Sequence, residues 1–166
     1  MGEKLTKSDV AKIEEEINYR KLVVRKNAIE AVKEARAQGD LSENFEYYAA
    51  KRENGANNSR IRYLERMLKN AEIVSDQSKS DEVGINNTVT LYMEDDDEEE
   101  TYKIVTSIRG NSMKGHISTE SPMGKALLGH KVGERVYIKV NENFGYYAVI
   151  RKIENTDDGG DEIRKF

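Results

Sequence analysis

The sequence predicts an α+β protein: an amino-terminal antiparallel coiled-coil helical hairpin followed by a small α+β domain. Three observations carry that reading. Apolar residues recur in steps of three and four across residues 10–35 and again across 50–71, the spacing of a coiled-coil seam. Between them, Gly39-Asp40-Leu41-Ser42-Glu43-Asn44-Phe45-Glu46-Tyr47 ends one pattern and opens the next. Beyond residue 82 the period changes to two, which is the signature of strands.

Taken in order, Ser8 or Asp9 is placed to N-cap a helix beginning near Val10. Its seam reads Val10, Ile13, Ile17, then Val24, Ala28, Ala31 and Ala35, with Arg20 and Lys21 interrupting the middle. Gly39 tolerates the left-handed backbone that ends a helix. An arm of about 30 residues is about 45 Å long. The second arm reads Ala50, Asn54, Asn57, Ile61, Leu64, Leu68 and Ala71 without a slip. Small and polar seam residues near the turn give way to large aliphatics farther off. The best packing is therefore expected where Ile13 and Ile17 meet Leu64 and Leu68. The short connection makes the arms antiparallel.

Residues 1–75 thus read as the hairpin and 76–83 as a polar linker. Residues 84–154 read as the second domain and 155–166 as a polar, frayed tail. In the second domain Thr88–Tyr92 and Thr101–Val105 read as strands joined by the acidic run Glu94–Glu100, and Arg135–Val140 and Tyr146–Ile150 as a second strand pair. Ser121-Pro122 sets an N-cap before proline at the first helical position, opening a short helix through Leu128 that Gly129 closes.

Composition narrows the function. Charged residues make up 35% and hydrophobic residues 37%, against roughly 25% and 45–50% in ordinary globular domains. That balance suits a long hairpin with a thin core. Residues 1–75 carry 15 Lys+Arg against 13 Asp+Glu, and the remainder 12 against 18. Neither part has the basic excess of a stand-alone nucleic-acid binder, so any nucleic-acid contact should be local and assisted by a partner. There is no cysteine, which excludes a disulfide framework and a zinc–thiolate site. His116 and His130 are too few and too far apart for an imidazole metal site. No apolar run approaches the roughly 18 residues that span a membrane, and no signal-peptide h-region is present. The expectation is a soluble, cytoplasmic monomer.

The candidate chemistry lies at the turn between the arms. Asp40 and Glu43, three residues apart, form either a capping box at a helix start or a pair of projecting carboxylates that bind a hard cation. Mg²⁺ takes one or two protein carboxylates and completes its shell with water and phosphate oxygens. Two acids on a solvated turn would not hold it tightly alone, so a partner must supply other ligands. Lys33, Arg36, Lys51 and Arg52 lie just behind, either as a solvated face with weak ion pairs or as a patch for a phosphate backbone. Phe45, Tyr47 and Tyr48 read as seam or shoulder packing rather than as base-stacking platforms. The run Glu94–Glu100 reads as a solvated hairpin turn and not a metal site.

The stretch Gly39–Tyr47, followed by Ala49-Ala50-Lys51, resembles the tip motif of the bacterial Gre transcript-cleavage factors, on the GreA side of that family. The likeness continues through Arg60-Ile61, Leu64-Glu65 and Asn70–Val74. It returns at Ile117-Ser118, Ser121-Pro122 and Ala126–Gly129, and so covers nearly the whole chain. The resemblance implies that the second domain is FKBP-like and docks on RNA polymerase, while the hairpin enters the polymerase's secondary channel. It implies that Asp40 and Glu43 serve as the catalytic tip, sharing Mg²⁺ with the polymerase active site as the metal-holding pair. Arg36, Lys51 and Arg52 would contact nascent RNA, and Ser121 and Pro122 would meet the polymerase. The protein would then be an accessory transcription elongation factor and not itself an enzyme. Two departures stand out: many relatives have a proline where this chain reads Val24-Arg25-Lys26-Asn27-Ala28, and the tail after Ile153 is longer.

Two other functions remain open from sequence. One is a channel-binding inhibitor of the same architecture, against which the intact Asp40/Glu43 pair argues. The other is a peptidyl-prolyl isomerase or chaperone, for which no aromatic-lined pocket is evident in the sequence.

Overall fold

The computed structural model describes residues 2–39 and 44–165. They form two compact units, one chiefly Asp9–Ala71 and the other Glu3–Ser8 together with the chain from Glu72 onward. The class is α+β, as the sequence predicts.

In the first unit, helix α1 (Lys7–Tyr19) runs through a π-helical turn at Arg20–Val24 directly into α2 (Arg25–Ala37). The helix starts at Lys7, so Thr6 rather than Ser8 or Asp9 precedes it, and Asp9 lies in the first turn, where a negative charge suits the helix dipole. Gln38 closes α2, and Gly39 follows with φ 141°. The return arm is the single helix α3 (Phe45–Asn70). Cross-arm hydrogen bonds pair residue 16 with 60, 20 with 57 and 35 with 44, so the arms are antiparallel.

Ile13, Ile17, Ile61, Leu64 and Met67 are buried, and each large aliphatic fully buried contributes about 1.5–3 kcal/mol. Toward the turn, among the described apolar residues, only Ala35 and Tyr47 are buried. In the first arm the seam departs from expectation. Ala31 is exposed, and Val32 takes the half-buried place between Ala28 and Ala35.

Between the two stretches sits a polar cluster. Glu16 accepts from Arg20 Nε at 2.7 Å and from Arg60 Nε and Nη2 at 2.9 and 3.2 Å. Burial opposes ionisation of Glu16, but the hydrogen bonds from Arg60 and Arg20 outweigh it and hold its carboxyl below the usual range.

In the second unit, β1 (Lys4–Leu5) pairs in parallel with β2 (Glu72–Ile73). That pairing ties Glu3–Ser8 to the second unit, whereas the sequence reading placed all of 1–75 in the hairpin. The main sheet contains β3 (Asn87–Met93), β4 (Glu98–Val105), β5 (His116–Ser118), β6 (Arg135–Lys139) and β7 (Gly145–Asn155). Its order is β5-β4-β3-β7-β6, parallel only between β4 and β5. A bulge between Thr90 and Leu91 shifts the β3–β7 register. Val89, Leu91 and Met93 alternate into a core with Ile104, Leu127, Val136, Ile138, Ala148 and Ile150, the period-two pattern read directly as packing. Short helix α4 (Pro122–Leu127) contributes Leu127 to that core.

Two sequence readings change here. The acidic run is only half turn, because Glu98–Glu100 already belong to β4. The tail is not frayed. Asp161 is an ion-pair partner of both Lys103 and the fully buried Arg109, and Arg164 N–H donates to the Ile108 carbonyl at 2.7 Å. Charged side chains this well buried need partners, and the tail supplies one.

Candidate functional site

Asp40 and Glu43 lie outside the described residues; their flanks are described on both sides. α3 begins at Phe45 with Asn44 as its N-cap, Asn44 Oδ1 accepting from Tyr47 N–H at 3.0 Å. The start of α3 is therefore capped by Asn44, and the capping-box reading of Asp40 and Glu43 falls on residues outside the described ones. Asn44 Nδ2 also donates to the Ala35 carbonyl at 2.5 Å. One side chain thus caps one arm and ties it to a carbonyl in the last turn of the other, which also accepts from Gln38 N–H at 3.3 Å.

Directly behind this tie, the Tyr47 ring lies between cations from both arms. Arg36 sits 5.6 Å and Lys51 6.0 Å from its centroid, within cation–π range. A hydrogen bond with Arg36, joined by the positive charges of Lys51 and Arg36, holds the Tyr47 phenol below its usual range despite burial. Tyr47 is 8% exposed and belongs to the seam, as expected, and meets Tyr48 edge-on at 5.4 Å. Phe45 is not packed: it is 86% exposed. Lys33 and Arg52 are also exposed. The structure therefore brings Arg36 and Lys51 together on one ring, and leaves Arg52 and Lys33 exposed on the same arms. Sequence reasoning missed Asn44, whose signal was an asparagine immediately before an apolar-periodic run.

The other predicted residues lie in the second unit. Ser121 caps α4, accepting from Gly124 N–H at 3.0 Å while donating to the Ser118 carbonyl at 2.6 Å. Its hydroxyl is thus engaged internally, and exposed Pro122 is the surface it presents. The approach of α4 to β5 is tight, because a Cβ on Gly124 would meet the Ser118 carbonyl oxygen at 2.0 Å.

The same unit holds an aromatic-lined cavity that the sequence did not reveal. Met93, Tyr102, Met123, Phe144 and Tyr146 line about 310 Å³, with Asp95, Asp96 and Glu100 beside them. Burial, then the neighbouring Glu100, push the Tyr102 phenol up to about 12. Among the described residues no three His, Asp or Glu side chains are grouped to hold a metal, and no helix is long and apolar enough to cross a membrane.

Family models also divide the chain in two, between residues 73 and 77. Residues 3–73 match the family described as transcription elongation factor, N-terminal, and residues 77–155 match transcription elongation factor, GreA/GreB, C-term. The transcription elongation factor GreA of Caldanaerobacter subterraneus subsp. tengcongensis is 48% identical over 137 residues, covering 82% of this chain and 87% of that protein. The GreA of Bacillus subtilis is 43% identical over 135 residues, covering 81% and 86%. Among solved structures, the Gfh1 protein of Thermus thermophilus is 26% identical, covering 93% of this chain and 99% of that one, with a TM-score of 0.44.

Proposed function

The chain belongs to the GreA/GreB family of transcription elongation factors, and from that premise we propose that it binds bacterial RNA polymerase and stimulates cleavage of backtracked nascent RNA. In this reading the hairpin enters the secondary channel and carries residues 40–43 to the polymerase's own active site. The observation that supports it most is the arrangement just behind those residues. Arg36 and Lys51, from opposite arms, are held on the Tyr47 ring, and Asn44 ties the two arms beside it.

Asp40 and Glu43 offer two hard oxygen donors, a set that fits one shared Mg²⁺ completed by polymerase and phosphate ligands. Asp40 and Glu43 would hold such an ion together with the polymerase's ligands, and it would supply charge stabilisation at the phosphate being cleaved. The chain's own contribution is positional. The Asp40/Glu43 pair would help hold the shared ion and orient the attacking water, with a positioned carboxylate serving as base or orienter. Arg36 and Lys51, with Arg52, contact phosphates of the RNA 3′ segment without reading bases. Pro122, presented by the Ser121-capped turn, meets the polymerase. In this reading the catalytic centre is the polymerase's, and the factor acts as an accessory rather than an enzyme.

Arrested, backtracked complexes supplied with the protein and Mg²⁺ should release short 3′ RNA fragments. Asp40→Asn and Glu43→Gln should abolish release while leaving polymerase binding intact. Undiminished release by both variants would overturn the tip mechanism, and slowed elongation without fragments would identify an inhibitor instead.

A further inference from the structure

The π-helical turn at Arg20–Val24 sits where the seam of the first arm changes phase. From Ile13 and Ile17, regular steps of three and four lead to Arg20, Val24, Asn27, Ala31 and Glu34. The structure buries or half-buries Ala28, Val32 and Ala35 instead, and leaves Asn27, Ala31 and Glu34 exposed. Each place is one residue late. A π turn, with its i→i+5 bond, absorbs one extra residue; here Arg25 N–H bonds to the Arg20 carbonyl. Without it the arm beyond would rotate by about 100°. Asn27 and Glu34 would then face α3, and Arg36 would turn away from Tyr47.

The same Arg20 carbonyl accepts a second hydrogen bond, from Asn57 Nδ2 on the opposite arm at 3.2 Å. Asn57 Oδ1 accepts in return from Arg20 Nη1 at 3.0 Å. A guanidinium only donates and a carbonyl only accepts, so the amide has one orientation. Asn57 is buried and occupies a seam position, where a polar residue costs stability but can specify register. The apolar seam beyond it is too thin to select a phase alone.

We propose that Asn57 is a positioning residue: by bonding across the hairpin to the Arg20 carbonyl it holds the π turn, and that turn sets the rotational phase that aims Arg36 and the end of α2. The functional part of this inference rests on the reading of the hairpin as a polymerase-entering arm; the structural part does not.

The chain has no cysteine, so single cysteines report phase by their rate of thiol labelling. With Asn57 intact, Ala31→Cys labels fast and Ala35→Cys slowly. Asn57→Asp keeps an acceptor for Arg20 but loses the donor to the carbonyl, and Asn57→Leu keeps a filled seam. In either background Ala31→Cys should slow and Ala35→Cys should quicken. Removing exposed Leu22 from the π turn shortens the arm by one residue, so that regular α geometry carries Ala28, Val32 and Ala35 into the seam. That removal should restore the original labelling pattern to both Asn57 variants, and restore fragment release with it. Unchanged labelling, both sites quickening together, or no rescue by Leu22 removal would overturn the role of Asn57. A changed labelling pattern with undiminished fragment release would overturn the aiming. If the unaltered protein releases no fragments, the functional reading fails and the labelling still decides the phase.

Discussion

Asp161 Oδ2 accepts a hydrogen bond from Arg109 Nη1 at 2.9 Å, joining the carboxyl-terminal tail to a guanidinium with no solvent exposure. Lys103 Nζ reaches the same carboxylate at 2.9 Å. Burial opposes ionisation of Asp161, but these two donors outweigh it and hold its carboxyl below the ordinary range. Asp161→Asn should destabilise the second unit by about 3 kcal/mol, because buried Arg109 and half-buried Lys103 lose a shared counter-charge. A group with a depressed folded pKa stabilises above its unfolded pKa, near 3.9 for Asp. That contribution is therefore full near neutrality and fades as the pH falls below about 4. Denaturant titrations of both proteins from neutral pH to about pH 2 check this; their stabilities should converge in acid.

Gly124→Ala should reverse the usual sign of a helical glycine substitution. Alanine normally favours a helix by about 1 kcal/mol. Here its Cβ would meet the Ser118 carbonyl oxygen at 2.0 Å and Thr119 Cα at 2.9 Å, both backbone atoms that cannot swing aside. A loss of about 1–3 kcal/mol is expected, read from the shift in thermal unfolding.

Asn44 carries two separable bonds. Asn44→Ala removes both and should cost about 1–2 kcal/mol. Asn44→Asp keeps the cap to Tyr47 N–H but has no donor for the Ala35 carbonyl, and should cost less. Amide hydrogen exchange should quicken in the first turn of α3 for the alanine variant, and not for the aspartate variant.

Tyr47→Leu keeps an apolar seam residue but removes the ring on which Arg36 and Lys51 converge. Hairpin helicity should be retained while fragment release falls roughly fivefold to tenfold. Circular dichroism and the cleavage assay separate the two effects. Equal release by both proteins would detach the cation cluster from the function.

Much of this was legible beforehand because it is written in local chemistry. The heptads of α3, the Ser121-Pro122 cap of α4 and the alternation of β3 each depend on neighbours a few residues away. The Asp40/Glu43 pair and the cations behind it were likewise visible as residue types at a turn. The phase of the first arm was not. Ala31 and Val32 are both acceptable seam residues by spacing, and only the π turn decides between them.

By itself the sequence determined the two helical arms, the change to strands, the absence of cysteine chemistry and the placement of acids and bases around one turn, because periodicity and residue type act at short range. The tertiary structure alone decided which face of α2 meets α3, that Asn44 and Asn57 bind across the hairpin, and that Asp161 returns to neutralise Arg109. Those outcomes hang on buried polar groups finding partners 9, 37 and 52 residues away, and the cost of leaving such groups unpaired is paid only once the chain has closed on itself.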